Sequence, residues 1–180
     1  STKDDIETFA FSIGGGGTAA VAVGAAVNVI DVDTNATIGA GADINIVDAS
    51  HPAYTANSGQ SVVVAASSDF NHVGLGAGAA VGGTAGVAPG VDVSVIDITT
   101  GAVIADNTEV DAANDVIVTS TAQSKVLIIS AGLAAGGTVG VGGGVSVMVL
   151  NTLTNAAIGN NAIVDAGGDV GVIAKDDSQF

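Results

Sequence analysis

The feature that most limits what this chain can fold into is an internal repeat. Residues 84–124 lie over residues 138–178 at a constant offset of 54. Thr84, Gly86 and Val87 meet Thr138, Gly140 and Val141, and Val110-Asp111-Ala112 meets Val164-Asp165-Ala166. A third copy fits upstream at an offset of 66, carrying Ile30-Asp31, Ala36 and Ile38 onto Ile96-Asp97, Ala102 and Ile104. The surplus of 12 residues falls near 46–60 and is read as a loop inserted in one copy. The chain is thus expected to be a single array over 1–180, with repeats at 6–71, 72–125 and 126–180. A fixed period of this length is the mark of architectures in which each unit buries its apolar surface against the next.

Within a repeat the apolar residues alternate with period two. Val139, Val141, Val145, Val147 and Val149 stand against Gly140, Gly142, Gly144, Ser146 and Met148, which is strand rather than helix patterning. Each repeat offers two long strands hinged at Gly-Gly-Thr. Two shorter strands are expected downstream, around Ala156 to Ile158 and Asp169 to Ala174. The hinge could also be a hairpin turn, which would make the sheet partly antiparallel. Lys3-Asp4-Asp5 near one end resembles Lys175-Asp176-Asp177 near the other, and no signal-peptide pattern opens the chain, so it reads as a piece of a longer array.

Composition then narrows the function. The formal charge is −15, with only 3 basic residues, and a nucleic-acid partner is excluded because phosphate neutralisation needs a Lys/Arg surface. Intrinsic disorder is not expected with 48% apolar residues and a mean hydropathy of +0.60, since disordered chains combine charge with low hydrophobicity. With no Cys, no disulfide or thiolate chemistry is available. The 27 glycines each cost roughly 0.5–1 kcal/mol against Ala inside a strand. They are affordable where another layer must approach closely. The pattern therefore predicts thin, closely stacked sheets with Val rungs supplying the burial.

Ala156-Ala157-Ile158-Gly159, followed by Ala162-Ile163-Val164-Asp165-Ala166-Gly167-Gly168-Asp169-Val170-Gly171-Val172, resembles the repeats of very large secreted bacterial surface proteins. These are the filamentous-haemagglutinin-like and leukotoxin-like adhesins. The Gly-Gly-Thr-Val-Gly-Val-Gly-Gly-Gly-Val-Ser-Val segment is similar to their Gly/Ala/Val-rich stretches. The resemblance implies an all-β, right-handed parallel β-solenoid at the bacterial cell surface or outside the cell. It implies work as a stalk, fibre or adhesin whose partners are neighbouring repeats, copies of itself or a host surface, rather than as an enzyme.

Other readings compete at particular residues. Residues 126–150 run without a charge, and residues 9–30 and 73–91 are similar, long enough to cross a bilayer, with glycines in zipper spacing at Gly132, Gly136, Gly140 and Gly144. The period-two valines, the absence of Trp and the absence of a Lys/Arg bias speak against membrane insertion, and it is not expected. Asp31-Val32-Asp33-Thr34-Asn35 imitates the start of a calcium loop. Ala36 then stands where Gly belongs and Ala42 where Glu belongs, so Asp31 and Asp33 are expected as turn residues, with calcium as the alternative cofactor of an adhesion domain. In-register Asp111, Asp115, Asp165 and Asp169 would repel unless solvated or bridged by a cation. No catalytic residue is assigned: the glycine-rich runs lack the Lys-Ser/Thr of a phosphate loop, and Ser50-His51 and Asp69-Phe70-Asn71-His72 supply residue types only. The pairs Asp4-Asp5 and Asp176-Asp177 are expected at turns rather than as glycosidase carboxylates. A binding loop is expected at His51, Pro52, Tyr54 and Asn57, because inserted loops carry function more often than strands do.

Overall fold

The computed structural model describes residues 1–46, 57 and 59–180. Eleven strands follow one another: β1 (Thr2–Gly16), β2 (Ala19–Val21), β3 (Gly24–Ile38), β4 (Asp43–Ile44), β5 (Val62–Gly82), β6 (Ala85–Ile104), β7 (Glu109–Ala112), β8 (Val116–Gly136), β9 (Val139–Ile158), β10 (Ile163–Ala166) and β11 (Val170–Gln179). Among the described residues there is no helix and every strand pair is parallel. The protein is an all-β, repeat-built parallel fold.

The path of the chain is that of a flattened solenoid. A long strand in the front sheet (β1-β5-β8-β11) is followed by a Gly-Gly-Thr bend and a long strand in the back sheet, where β2 and β3 pair with β6 and β6 pairs with β9. A short strand in the cap sheet (β4-β7-β10) then closes the coil. One repeat makes one coil. The ladder registers reproduce the sequence offsets: Thr2 lies beside Ser68 and Val27 beside Val93, while Val62 lies beside Val116 and Val93 beside Val147.

Three expectations are corrected. The Gly-Gly-Thr hinge is not a hairpin turn. It carries the chain from the front sheet to the back sheet, and its main-chain groups bond to the neighbouring coil: Thr84 N–H donates to the Thr18 carbonyl at 2.8 Å, and Thr138 N–H to that of Thr84 at 3.0 Å. Residues 156–158 are the end of long strand β9, and the short strand is β10; the stretch 169–174 belongs to the opening of β11, which lies on β8. Lys175 sits beside Thr121, whereas Lys3 sits beside Asp69, the residue level of Gln123 and Asp177. The two Lys-Asp-Asp triplets are therefore two residues out of structural register.

The space between front and back sheets tapers. At the cap, where three sheets meet, it holds Val64, Ile104, Val110, Val116 and Val118. Further along it holds Phe70, Ile96, Ile98 and Val126, and near the bends only Ala20, Ala22, Ala80 and Ala88. There the sheets approach through glycine: a β-carbon on Gly78 would lie 2.6 Å from the Pro89 carbonyl oxygen and 2.8 Å from that of Ala22. Such distances exclude any side chain without movement of backbone.

The consequence reverses the expected role of the valines. In this half of the molecule glycine and alanine face inward, and Val27, Val29, Val141 and Val145 face outward, 71%, 80%, 56% and 59% exposed. Front-sheet Phe9, Phe11, Ile13 and Leu133 are likewise exposed. Parallel sheets are ordinarily covered on both faces; in this half, among the described residues, the outer faces of both long sheets are uncovered and apolar.

Candidate assembly surfaces

Strand β5 shows how one continuous strand makes two kinds of surface. Its even-numbered residues Phe70, His72, Gly76 and Ala80 are buried, and its odd-numbered residues Asp69, Asn71, Leu75 and Val81 point out. In the cap half the outward residues include Ser67, Asp69 and Asn71 beside Val63 and Ala65, and from Val73 to the bend they are all apolar. On the back sheet the change falls at the row Asp31, Asp97 and Asn151, which are register neighbours. From the bends to that row the only charged residue on β6 is Asp92, which is buried between the sheets. The molecule is thus divided along its strands into an acidic half next to the cap and an uncharged, apolar blade ending at the Gly-Gly-Thr bends.

A polar seam crosses the interior where the two halves join. His72, Asp92 and Ser94 are fully buried and Asn28 nearly so. Ser94 Oγ donates to Asp92 Oδ1 at 2.8 Å and accepts from Asn28 Nδ2 at 3.1 Å. It lies 3.4 Å from His72 Nε2, while His72 Nδ1 is 3.1 Å from the Ile6 carbonyl oxygen, the geometry of a donated N–H. Asp92 Oδ2 has no partner, and a β-carbon on Gly74 would come within 2.8 Å of it. These residues include the types used for hydrolysis, but the Ser94 proton is directed at the carboxylate and Ser94 is fully buried. The seam ties the first two coils together: a polar group buried without its partner is costly, so Asn28 of one coil and Ser94 of the next hold the register.

The sequence-predicted residues fall elsewhere. Asp31 and Asp33 are not turn residues; they are exposed on β3, facing outward beside Asp97 and Thr99. Asp97 already accepts a hydrogen bond from Asn151 Nδ2 at 2.7 Å. His51, Pro52 and Tyr54 lie outside the described residues. Asn57 is exposed, and its Oδ1 and carbonyl oxygen accept from Gly59 N–H and Gln60 N–H in a tight turn. Asp111 and Asp165 are ladder neighbours on β7 and β10. Asp115 Oδ1 accepts from the Asp169 main-chain N–H at 2.9 Å, and Asp106 Oδ1 from that of Asn160 at 2.7 Å, so these acids join one coil to the next. Asp4 and Asp5 are consecutive residues of β1, and Asp176 and Asp177 of β11, so each pair points to opposite faces of a strand and cannot flank a substrate. The glycine-rich runs at 74–78 and 140–144 lie within β5 and β9 and form no loop.

Sequence reasoning missed the seam, although a signal for it was present. Asp92 is the sole charge in a long uncharged stretch and falls on the Gly/Ala phase of its strand, which marks it as buried. Left-handed backbone at Gly41, Asn107 and Asn161 (φ 69°, 55° and 55°) also recurs at one position of every coil.

No family model, no curated protein and no solved structure matches this chain.

Proposed function

We propose that this chain is a structural repeat module that extends by stacking coil on coil, as part of an extracellular bacterial fibre, stalk or adhesin. The observation that carries this reading is the edge of β9. Over 20 residues (Val139–Ile158) this strand is bonded, among the described residues, to β6 along one side only. Unpaired strand edges are templates for further pairing, and the rungs they present here are the same Val, Ala and Gly rungs that already match between coils. The bends repeat at fixed positions, with Thr84 and Thr138 N–H each bonded to the preceding coil, and Asp169 stands at the position of Asp115, whose carboxylate holds the main chain of the next coil, so an added coil of the same sequence type would meet partners for its main chain at these corners. The acidic half keeps such an array dispersed, since high net charge opposes clumping. The extracellular setting and the adhesin class rest on the sequence resemblance alone.

A charged inward-facing residue on the edge strand tests the reading. Met148 points inward on β9 and is 39% exposed, so Met148→Lys leaves the ammonium in water in a single copy, but an added coil would have to bury it. Light scattering is expected to show wild-type protein growing into rods with rising concentration and Met148→Lys remaining short. Wild-type protein that stays monomeric at high concentration, or a variant that grows equally well, would overturn the reading.

A further inference from the structure

The outer face of the back sheet is close to a grid of one residue type. Running from the bends to the Asp31–Asp97–Asn151 row, its outward positions come in six rows of three register neighbours, and 13 of the 18 are valine. The front sheet instead sets Phe11 beside Ala77 and Ile13 beside Ala79, which makes its outer face uneven. Alanine replaces valine at Ala19, Ala85 and Ala25, and where Pro89 and Gly143 are neighbours an open hollow of about 250 Å³ lies beside Val87, Val141 and Val145.

We propose that this valine face is a lateral interface that takes the same face of a second copy. Two sheets that each present a flat, regular grid can pack as the layers of a sandwich do, about 10 Å apart. Charge fixes the relative orientation. If the two blades pointed the same way, the Asp31–Asp97 rows of both copies would meet. A two-fold axis parallel to the direction of coil stacking turns one blade end for end, so that only the uncharged halves overlap and the acidic halves overhang at opposite sides. Each coil then faces its own counterpart, and arrays of any length can pair along their whole run. With six rows over roughly 36 Å and three strands over roughly 14 Å, the overlap is about 500 Å² per copy and about 1,000 Å² in the pair, the lower bound of a specific interface. Each added coil enlarges it in proportion, so longer arrays pair more tightly.

A lipid bilayer fits this face less well. The free backbone edges of β1, β3 and β9 would lie unpaired in hydrocarbon, which membrane-spanning structures avoid, and a chain of charge −15 with 3 basic residues is repelled by anionic headgroups.

The chain has no cysteine, so single cysteines report the contact. Val91 lies in the row next to the two-fold axis, so its counterpart in the second copy is among the nearest residues across the pair. In the Met148→Lys background, where axial growth is blocked, Val91→Cys is expected to form a disulfide-linked dimer under mild oxidation. Thr99→Cys, outward in the acidic half, and Leu75→Cys, on the outer face of the front sheet, are expected to stay monomeric. In sedimentation, Val93→Lys combined with Val147→Lys is expected to weaken pairing at least tenfold while leaving the far-ultraviolet spectrum unchanged. Crosslinking at Leu75 or Thr99 in place of Val91, a lysine variant that pairs as well as wild type, or co-flotation of wild-type protein with phosphatidylcholine vesicles would each overturn the proposal. Because axial growth is blocked in the Met148→Lys background of the cysteine variants, failure of their crosslinking is separate from failure of coil stacking.

Discussion

Gly78 and Pro89 face each other across the interior so closely that a β-carbon on Gly78 would stand 2.6 Å from the Pro89 carbonyl oxygen. Backbone-to-backbone proximity of this kind, repeated along the blade, is what forces the larger side chains to the outside. Along the blade, inward glycines such as Gly78 are therefore structural, and an outward one such as Gly143 is not.

Gly78→Ala is expected to destabilise the fold by about 1–3 kcal/mol, the usual cost of overpacking. Gly143→Ala meets nothing within 4 Å and is expected to be neutral or stabilising by up to about 1 kcal/mol, because alanine loses less backbone entropy than glycine. Paired urea melts check this. Equal effects at the two sites would contradict close packing of the sheets.

The buried seam depends on a single hydroxyl. Ser94→Ala removes the group shared by Asn28, Asp92 and His72, and leaving buried polar atoms unpaired is expected to cost about 1–3 kcal/mol. The register neighbour Ser146 is exposed and its hydroxyl donates to Ser130 Oγ at the surface; Ser146→Ala is expected to stay within about 0.5 kcal/mol. Thermal unfolding of both variants separates the cases.

At the corner shared by Gly41, Asn107 and Asn161, left-handed backbone disfavours β-branched residues. Asn107→Val is expected to cost about 1–2 kcal/mol. Asn107→Gly is expected to be close to neutral, because the first coil already uses glycine there. A melting series that ranks valine at or above glycine would show that this corner is not held in the left-handed region.

Calcium offers a further check. Asp31 and Asp33 lie on a flat strand, and Asp97 is engaged by Asn151. Millimolar calcium is expected to move the melting temperature no more than sodium chloride of equal ionic strength. A specific rise that is lost in an Asp31→Asn variant would instead support the calcium-dependent adhesion reading.

The period and the coil-to-coil register were legible because they depend only on like residues recurring. Val110-Asp111-Ala112 over Val164-Asp165-Ala166 is both a sequence match and a ladder. Which face of the blade turns inward was harder to read. Both phases of the strand are apolar there, and the general preference for burying large side chains points to valine. The deciding information lay at the other end of the same strand: exposed Asp69 and buried Phe70 fix the phase of β5, and 21 continuous strand residues carry it to Leu75 and Gly76. Asp31 and Asp33 were misread as turn residues because aspartate favours turns, whereas on a solvent-facing strand surface it is tolerated as a polar boundary.

The most direct test of the account is fibre diffraction from concentrated wild-type protein, without detergent. Coil-on-coil stacking predicts ordered filaments with a meridional repeat near 4.7–4.9 Å, the spacing between strands, because each added coil contributes one strand to every sheet. Amorphous aggregate, or monodisperse particles with no axial repeat at any concentration, would contradict it.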